Sequence, residues 1–433
     1  VEKAMKETEK GIDETAAKEV GEAVHEKYKD SDKVSIEEIQ DLVEFELMKR
    51  APEAAKKYIL YREERTRLRE EGWAMTNLQR DIYDKKYRYD GENFEGFIKR
   101  VSGDNDVIGK AIKDKKFMPA GRILAGRGLD KKGKKVTLSN CYVMPKVEDN
   151  IESIFDTAKR LARTYSYGGG CGINISKLRP KGARVNNAAS TTTGAVSFMD
   201  LFALTTGLIG MRGRRGALMI NMDVSHPDIM EFIDVKNDLS KVNSANISVN
   251  VNDEFLKAVK EDTNYTLRFD VESSGEEIRK EVRARDLWNT LAKNNWNMAE
   301  PGILYWDRIN SWHIMSADEN FSYAGVNPCA EEPLPAWGSC NLSSINLGAF
   351  VRDPFTDYGR FDFEAFANLV REGVFYLNGV LDENENLHPI KEQRELAHNL
   401  RQIGLGIMGL ADMFIKLKIK YGSPESNRKT HDK

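Results

Sequence analysis

The 433-residue chain has little of what marks several common classes of protein. Four cysteines are too few for a disulfide scaffold, so we expect a reducing compartment and a cytoplasmic location. The six histidines do not occur at metal-ligand spacing with each other or with the cysteines, so no metal site is predicted. Basic and acidic residues nearly balance, 65 against 68, which argues against a nucleic-acid-binding surface. No apolar run approaches the roughly 20 residues needed to cross a bilayer, so no membrane association is expected.

The first 70 residues carry strong helix signals. Ser35 and Glu38 have the spacing of a capping box, and Pro52 suits the first turn of a second helix. Apolar residues follow the capping box at helical spacing and predict one buried face, formed by Ile36, Ile39, Leu42, Val43 and Leu47. We therefore predict a small helical bundle over residues 1–70.

The rest of the chain mixes strand and helix signals. Runs of β-branched and apolar residues predict strands at Thr137–Met144, Ala217–Val224, Asn246–Val251 and Ser343–Gly348. Apolar spacing predicts helices at Phe363–Leu381 and at Pro389–Leu417, the second with a single apolar face. Strands that alternate with helices over residues 137–420 indicate an α/β arrangement.

The most informative stretch is Asn327–Leu334, which reads Asn-Pro-Cys-Ala-Glu-Glu-Pro-Leu. Side chains two residues apart in an extended segment point the same way. Asn327, Cys329 and Glu331 are therefore predicted to converge on one small ligand. The two prolines stiffen the stretch and disfavour a helix. We interpret it as an active-site loop.

Two glycine-containing segments each allow two interpretations. Four glycines around Cys171 let the backbone pass close to a flat or charged ligand, or serve close packing within the protein. Met211–Gly216 is a basic loop that suits either a nucleotide phosphate or a solvated surface. The residues alone leave both choices open.

The cysteines favour redox chemistry over acyl transfer. A nucleophilic cysteine of the protease type needs an imidazole partner, and no histidine is near Cys329 or Cys340 in sequence. Two thiols that meet supply two electrons by closing a disulfide. Either of these two cysteines is able to pair with Cys141, which leaves one thiol for other chemistry. The residues alone thus indicate a thiol-dependent oxidoreductase.

The motifs resemble a known family. Residues 327–334, together with Ser-Cys-Asn-Leu-Ser-Ser-Ile-Asn-Leu-Gly at 339–348, resemble the finger loop and following strand of ribonucleotide reductase catalytic subunits. Further matches occur in the expected order at Ser139–Cys141, Glu300–Ile303 and Arg401–Asp412. The resemblance implies an α/β fold, the N-terminal half of a ten-stranded α/β barrel with a finger loop, preceded by a helical N-terminal region.

The resemblance also implies a division into domains. Ala54–Glu63 resembles the last helix of an ATP-cone, whereas the strands and basic residues that grip ATP in that family would precede Val1. We expect a partial ATP-cone-like helical region at residues 1–70 and an N-terminal helical domain at 71–136. The first half of the catalytic barrel is expected at 137–433.

Roles for individual residues follow from the same resemblance. Cys329 would be the thiyl radical that abstracts the ribose 3′-hydrogen, Glu331 the general base on the 3′-hydroxyl, and Asn327 the group that holds the sugar hydroxyls. Cys141 and Cys340 would be the dithiol pair that reduces the 2′-position. Candidate substrate-binding residues are Ser139, Asn140, Ala120 and Gly170. Candidate effector-binding residues are Asp149, Arg179, Arg184 and Arg212.

The short spacing from Cys329 to Cys340 resembles the adenosylcobalamin-dependent class II enzymes, with a radical from a separate metal-containing subunit as the alternative. The resemblance implies a ribonucleoside diphosphate substrate, deoxynucleoside triphosphate and ATP effectors, a homodimer and a thioredoxin-type reductant. Half a barrel leaves an open sheet edge, so a second chain supplying the C-terminal half-barrel is a further candidate partner, without which the chain would be inactive.

Two rival hypotheses belong to other classes. A non-catalytic nucleotide-binding homologue would keep the effector surfaces and lose the chemistry, but the finger-loop and dithiol residues are all retained. An unrelated thiol oxidoreductase would act independently of ribonucleotide and cobalamin.

Overall fold

The structure is a computed structural model that describes residues 5, 8, 13–31, 33–70, 75–211, 214–315 and 317–431. The chain divides into two compact units, Val1–Tyr83 and Asp84–Lys433. Among the described residues, no helix is both long enough and apolar enough to cross a membrane.

The first unit is helical, as predicted. Its helices are α1 (Glu14–Tyr28), α2 (Ile36–Arg50), α3 (Pro52–Glu70) and α4 (Asn77–Ile82). The capping box at Ser35 is confirmed, because Glu38 and Ser35 exchange both hydrogen bonds. The predicted apolar face of α2 is right for Val43 and Leu47, which are buried. It is wrong for Ile36, which is 65% exposed, because the buried residues of α2 lie in its C-terminal half.

The second unit contains both helices and strands. Its helices are α5 (Phe94–Ser102), α6 (Asp106–Lys113), α7 (Gly121–Gly126), α8 (Ile151–Ser166), α9 (Met199–Leu208), α10 (Ile229–Asp234), α11 (Asp253–Glu261), α12 (Ala284–Met298), α13 (Trp306–Ser311), α14 (Phe363–Asn384), α15 (Lys391–Leu400), α16 (Leu410–Lys416) and α17 (Pro424–His431). Its strands are β1 (Phe117–Pro119), β2 (Cys141–Val143), β3 (Gly170–Asn174), β4 (Gly210–Met211), β5 (Arg214–Arg215), β6 (Leu218–Asp223), β7 (Asn246–Val251), β8 (Asn264–Val271), β9 (Glu276–Arg283), β10 (Gly302–Tyr305), β11 (Gly325–Val326), β12 (Pro333–Leu334), β13 (Ser339–Asn346), β14 (Val351–Arg352), β15 (Arg360–Phe361) and β16 (Ile403–Met408). Strands alternate with helices, which confirms the α/β prediction.

One eight-stranded sheet organises this unit. Strands β2, β3, β6, β7 and β10 are neighbours in that order, and every pair is parallel. Strand β13 is antiparallel to β2 and to β1, and β16 is parallel to β13. Strands β13 and β16 therefore run opposite to the other six, and the strand direction changes where β13 pairs with β2 and where it pairs with β1.

The two faces of the sheet differ because side chains alternate along each strand. The main apolar core covers one face and includes Cys171 and Ile173 of β3, with Leu161 and Phe202 from the helices. The glycines of β3 occupy the alternate positions. The opposite face of the sheet consequently has no side chain at residues 170 and 172, and we call it the smooth face. The candidate site lies on this face.

The prediction of continuous helical structure over Pro389–Leu417 was wrong. The segment forms α15, then β16, then α16. Gly404 and Gly406 weaken a helix, and β16 instead pairs with β13 along its whole length. A Cβ at Gly404 would overlap the Leu342 side chain on β13, and Gly409 has φ +71°, which favours glycine.

The predicted strand at Thr137–Met144 is confirmed only at Cys141–Val143. The backbone before it bonds to side chains, since Leu138 N donates to Asn384 Oδ1 at 2.7 Å. This side-chain partner competes with a strand ladder for the backbone donor. The strands predicted at 217–224 and 246–251 are confirmed as β6 and β7, and the one predicted at 343–348 begins earlier, at Ser339.

A buried polar network fastens α14 and the following turn behind β2. The Tyr142 hydroxyl lies 2.6 Å from Thr137 Oγ1 and 3.0 Å from His388 Nδ1. Asn384 Nδ2 is 3.3 Å from His388 Nε2 and donates to Ser139 Oγ at 2.9 Å. Burial lowers the pKa of His388 to about 4, so the ring is neutral in the folded protein at neutral pH.

We expect His388 to make the second unit less stable in mild acid. The unfolded chain takes up a proton at this ring as the pH falls through about 6.5, whereas the folded ring stays neutral down to about pH 4. From pH 7 to pH 5 this difference removes about 2 kcal/mol of unfolding free energy. Urea unfolding at both pH values, on the wild type and on His388→Gln, measures it. A glutamine variant that loses as much stability as the wild type over this interval would contradict the assignment.

Candidate active site

A β-hairpin carries the predicted active-site loop. Strands β11 and β12 pair antiparallel and flank residues 327–332. Within the loop, Ala330 N donates to Asn327 O at 3.0 Å, and Ala330 has φ +66°. Asn327 N donates to Glu332 O at 3.1 Å, and Glu332 N donates back to Asn327 Oδ1 at 3.0 Å. We call the hairpin at residues 325–334 the finger. Its tip is a closed turn, with Asn327 fully buried at the base of that turn.

The finger lies across the smooth face of the sheet. A Cβ at Gly172 would overlap the Val326 carbonyl oxygen, and one at Gly170 would lie 2.8 Å from Pro328 Cγ. Asn246 Nδ2 donates to Pro328 O at 3.0 Å and fastens the tip to β7. The glycines of β3 thus allow two backbones to approach closely. This confirms the close-packing interpretation of the glycine run at these two positions.

Cys141 and Cys340 face each other directly on the paired strands β2 and β13. Both thiols are free and buried, and they are hydrogen-bonded to one another. Asn327 Nδ2 donates to Cys141 Sγ at 3.5 Å. The bond from Cys340, aided by this amide, lowers the pKa of Cys141, and the same bond and burial raise the pKa of Cys340 well above the ordinary range. Cys141 is accordingly the more acidic thiol of the pair.

Cys329 projects from the finger tip and is exposed. It lines a cleft of about 360 Å³ together with Cys141, and residues 168–170 form part of the wall. Partial shielding of its sulfur from water and the nearby Glu331 carboxylate raise the pKa of Cys329, which keeps it a neutral thiol. The Glu331 side chain is itself exposed.

Sequence reasoning missed Glu332, whose carboxyl is partly buried. Burial raises its pKa, and it is hydrogen-bonded to the Cys340 thiol. The two-residue spacing that grouped Asn327 with Cys329 and Glu331 did not include it. The left-handed turn at Ala330 redirects the chain after Cys329, and a proline-flanked tip was the only sequence signal for such a turn.

The structure brings together some of the predicted substrate-binding residues. Asn140 and Gly170 line the cleft, and Ala120 N donates to Leu342 O on β13 at 2.9 Å. Ser139 is fully buried, and its hydroxyl donates to Asn341 Oδ1 at 2.7 Å and so points away from the cleft. The sequence missed Arg122 and Tyr87, which line the cleft.

Three of the four predicted effector-binding residues lie together. Arg179 Nε donates to Asp149 Oδ2 at 2.7 Å, and Arg179 Nη1 donates to Arg184 O at 2.5 Å. The Arg179 guanidinium is also 3.1 Å from Ser273 Oγ. Arg212 lies outside the described residues. Cys171, for which no role was predicted, lies in the apolar core on the opposite side of β3 from the finger.

Comparison with known proteins identifies the family. The profile of the ribonucleotide reductase barrel domain matches residues 139–432. The chain belongs to the ribonucleotide reductase family. The profile of the ATP cone domain matches residues 1–67, within the region for which the sequence indicated an ATP-cone-like helix.

Relatives within the ribonucleotide reductase family include two curated proteins named vitamin B12-dependent ribonucleoside-diphosphate reductase. The protein from Thermoplasma acidophilum is 32% identical, and the alignment covers 95% of this chain and 63% of the relative. The protein from Mycobacterium tuberculosis H37Rv is 32% identical over 91% of this chain and 58% of the relative. The chain thus spans about three-fifths of the length of these relatives.

A solved structure supports the reductase fold. The Actinobacillus ureae class Id ribonucleotide reductase alpha subunit superposes with a TM-score of 0.65 at 21% identity, covering 82% of this chain and 64% of that one. At this identity the likeness concerns the fold alone. It agrees with the predicted N-terminal half of a ten-stranded α/β barrel with a finger loop.

Proposed function

We propose that the chain is the part of a ribonucleoside-diphosphate reductase that carries the radical cysteine and the reducing dithiol. One observation supports this most: Cys141 and Cys340 are opposed on paired strands, and the finger that presents Cys329 also contacts Cys141 through Asn327. A thiol for hydrogen abstraction and one thiol of the reducing pair, Cys141, thereby border the same cleft.

The proposed chemistry assigns each bond change to a residue. The Cys329 sulfur radical takes the 3′-hydrogen of the ribose, and Glu331 takes the proton of the 3′-hydroxyl. The C2′–O bond breaks and the oxygen leaves as water, while a C2′–H bond forms. Cys141 and Cys340 supply the two electrons and two hydrogens and end as a disulfide. Cys329 then returns its hydrogen to C3′ and is a radical again, and Glu331 returns the proton to the 3′-oxygen.

Adenosylcobalamin is the proposed cofactor, because both named relatives are called vitamin B12-dependent. Backbone and small side chains at residues 168–170, Gly216 and Ala217 form part of the wall, and a flat macrocycle can rest on such a surface. A second cavity of about 250 Å³ shares the lining residues Tyr87 and Arg122 with the cleft and adds to the volume that a ligand could occupy. When bound, this cofactor supplies the radical by cobalt–carbon homolysis. A separate metal-containing subunit is the alternative source.

Exposure of the Cys329 thiol supports the proposal that further polypeptide covers the cleft during turnover. A sulfur radical needs protection from solvent, and the described strands form an open sheet whose order ends at β1 and β10, with β16 paired to β13. We infer that this chain alone produces little or no deoxyribonucleotide. A homodimer, a thioredoxin-type reductant and a chain completing the barrel are the proposed partners.

The Asp149, Arg179 and Arg184 cluster is the proposed site of deoxynucleoside triphosphate effectors, with Arg212 as a further candidate. Arg179 is already paired with Asp149, so an incoming phosphate has to compete for that guanidinium. The match to the ATP cone domain supports ATP as a second effector at the first unit.

Protection of Cys329 from alkylation tests the proposed function without requiring turnover. Cys329 is exposed, whereas the other three cysteines are buried, so iodoacetamide should label it first. Adenosylcobalamin with a ribonucleoside diphosphate is expected to slow this labelling several-fold, as measured by mass spectrometry of peptides. Unchanged labelling at millimolar ligand would contradict a substrate site in this cleft.

A further inference from the structure

Glu332 has an environment unlike that of its neighbour Glu331. Its carboxyl is partly buried and is hydrogen-bonded to the Cys340 thiol. A Cβ placed on Gly404 would lie 3.0 Å from Glu332 Oε1, so this carboxyl rests against the backbone of β16. Glu332 O accepts from Asn327 N, and Glu332 N donates to Asn327 Oδ1, so its main chain is fixed. Glu332 is therefore held in place both at its main chain and at its side chain.

Cys340 connects Cys141 with Glu332. It interacts with both groups, and Asn327 Nδ2 donates to Cys141 Sγ. Cys141 lines the cleft, whereas Cys340 is 2% exposed and does not line it. A reductant that enters through the cleft therefore meets the Cys141 sulfur first. Cys340 is then the leaving sulfur.

The leaving sulfur needs a proton. Cys340 lies in a buried environment that disfavours its thiolate, and Glu332 is the carboxyl in contact with it. Two titratable groups act on Glu332, namely the Cys340 thiol and the Glu331 carboxylate. Burial and Glu331 both favour the protonated form of Glu332, and a protonated carboxyl is able to donate.

We propose that Glu332 is a catalytic residue that donates a proton to Cys340 when the Cys141–Cys340 disulfide is reduced, and takes a proton back afterwards. This rests on the proposed function. An external thiolate attacks Cys141 Sγ, the S–S bond breaks, and Cys340 leaves with the proton of Glu332. The second external thiol gives its proton to the Glu332 carboxylate and attacks the mixed disulfide. Cys141 departs as a thiolate and takes a proton from solvent, so both electrons and all protons balance.

The test follows reduction of the preformed Cys141–Cys340 disulfide by dithiothreitol from pH 6 to pH 9. Rates are divided by the concentration of dithiothreitol thiolate, and the wild type is compared with Glu332→Gln. Glutamine has the same shape and still forms hydrogen bonds, so the fold should persist, which urea unfolding checks. Glu319→Gln is the matched control, because that carboxylate is exposed and has no role in the site.

We expect the normalised rate of the wild type to exceed that of Glu332→Gln by about tenfold near pH 6, as general acid catalysis would provide. The difference should vanish as the pH rises and Glu332 loses its proton. Glu319→Gln should follow the wild-type profile. Superimposable profiles for the wild type and Glu332→Gln overturn the role of Glu332, as does an equal loss in Glu319→Gln. Failure to form the Cys141–Cys340 disulfide at all overturns the dithiol of the proposed function instead, and this inference with it.

Discussion

Replacing Cys329 by serine is expected to abolish deoxyribonucleotide formation, with a loss of about three orders of magnitude or more, equivalent to ~4 kcal/mol in the activation barrier. A serine O–H bond is much stronger than a cysteine S–H bond, so the hydroxyl does not become the hydrogen-abstracting radical. The side chain is exposed at the finger tip, and the substitution changes one atom, so the fold should be unaffected. Chromatography of the nucleotide products measures the effect in the assembly that turns over.

The matched control is Cys171→Ala. Cys171 lies in the apolar core on the face of β3 away from the finger, and we assign it no chemical role. This variant is expected to keep its activity and to lose a little stability, because a small buried group is removed. Equilibrium dialysis with a ribonucleoside diphosphate shows whether Cys329→Ser still binds ligand. Turnover by Cys329→Ser at the wild-type rate would rule out the radical role of this thiol.

Mild oxidation of the folded chain is expected to join Cys141 to Cys340 in most molecules. Residues directly opposed on antiparallel strands have Cα atoms about 4.5–5.5 Å apart, within the roughly 4.4–6.8 Å that disulfides require. Their thiols are already in hydrogen-bond contact, and the lowered pKa of Cys141 supplies the thiolate that initiates exchange. Peptide mapping after treatment with oxidised dithiothreitol identifies the bond.

Two variants make this result specific. Cys340→Ser should yield no internal disulfide, whereas Cys171→Ala should yield the same Cys141–Cys340 bond as the wild type. The sequence left open whether Cys329 or Cys340 pairs with Cys141, and the strand register favours Cys340. A dominant Cys141–Cys329 disulfide in the wild type would show that the finger exchanges partners with β13.

The sequence was sufficient to predict the features that depend on local pattern. The capping box at Ser35, the strands β6 and β7 and the α/β alternation follow from residue spacing alone. The stiff loop that presents Asn327 and Cys329 was likewise readable from two prolines and a two-residue repeat. In each case the local preference and the tertiary environment agree.

The features that sequence reasoning missed depend on partners distant in the chain. Residues 403–408 carry apolar residues compatible with a helix, but pairing with β13 makes them a strand. Ser139 is adjacent to two cleft residues, yet Asn341 and Asn384 hold its hydroxyl on the other side of the sheet. No local pattern reports such partners.

The meeting of the two strand directions at β2 and β13 has a consequence for the energetics of the cycle. A disulfide between Cys141 and Cys340 would close a loop of about 200 residues, which restricts the unfolded chain and stabilises the fold by ~5 kcal/mol in the entropic account. Oxidation would therefore act as a cross-link that ties the parallel half-barrel to the strands of the opposite direction. Each reduction would release that cross-link, so the bond that forms when the dithiol gives up its electrons would also hold β2 to β13.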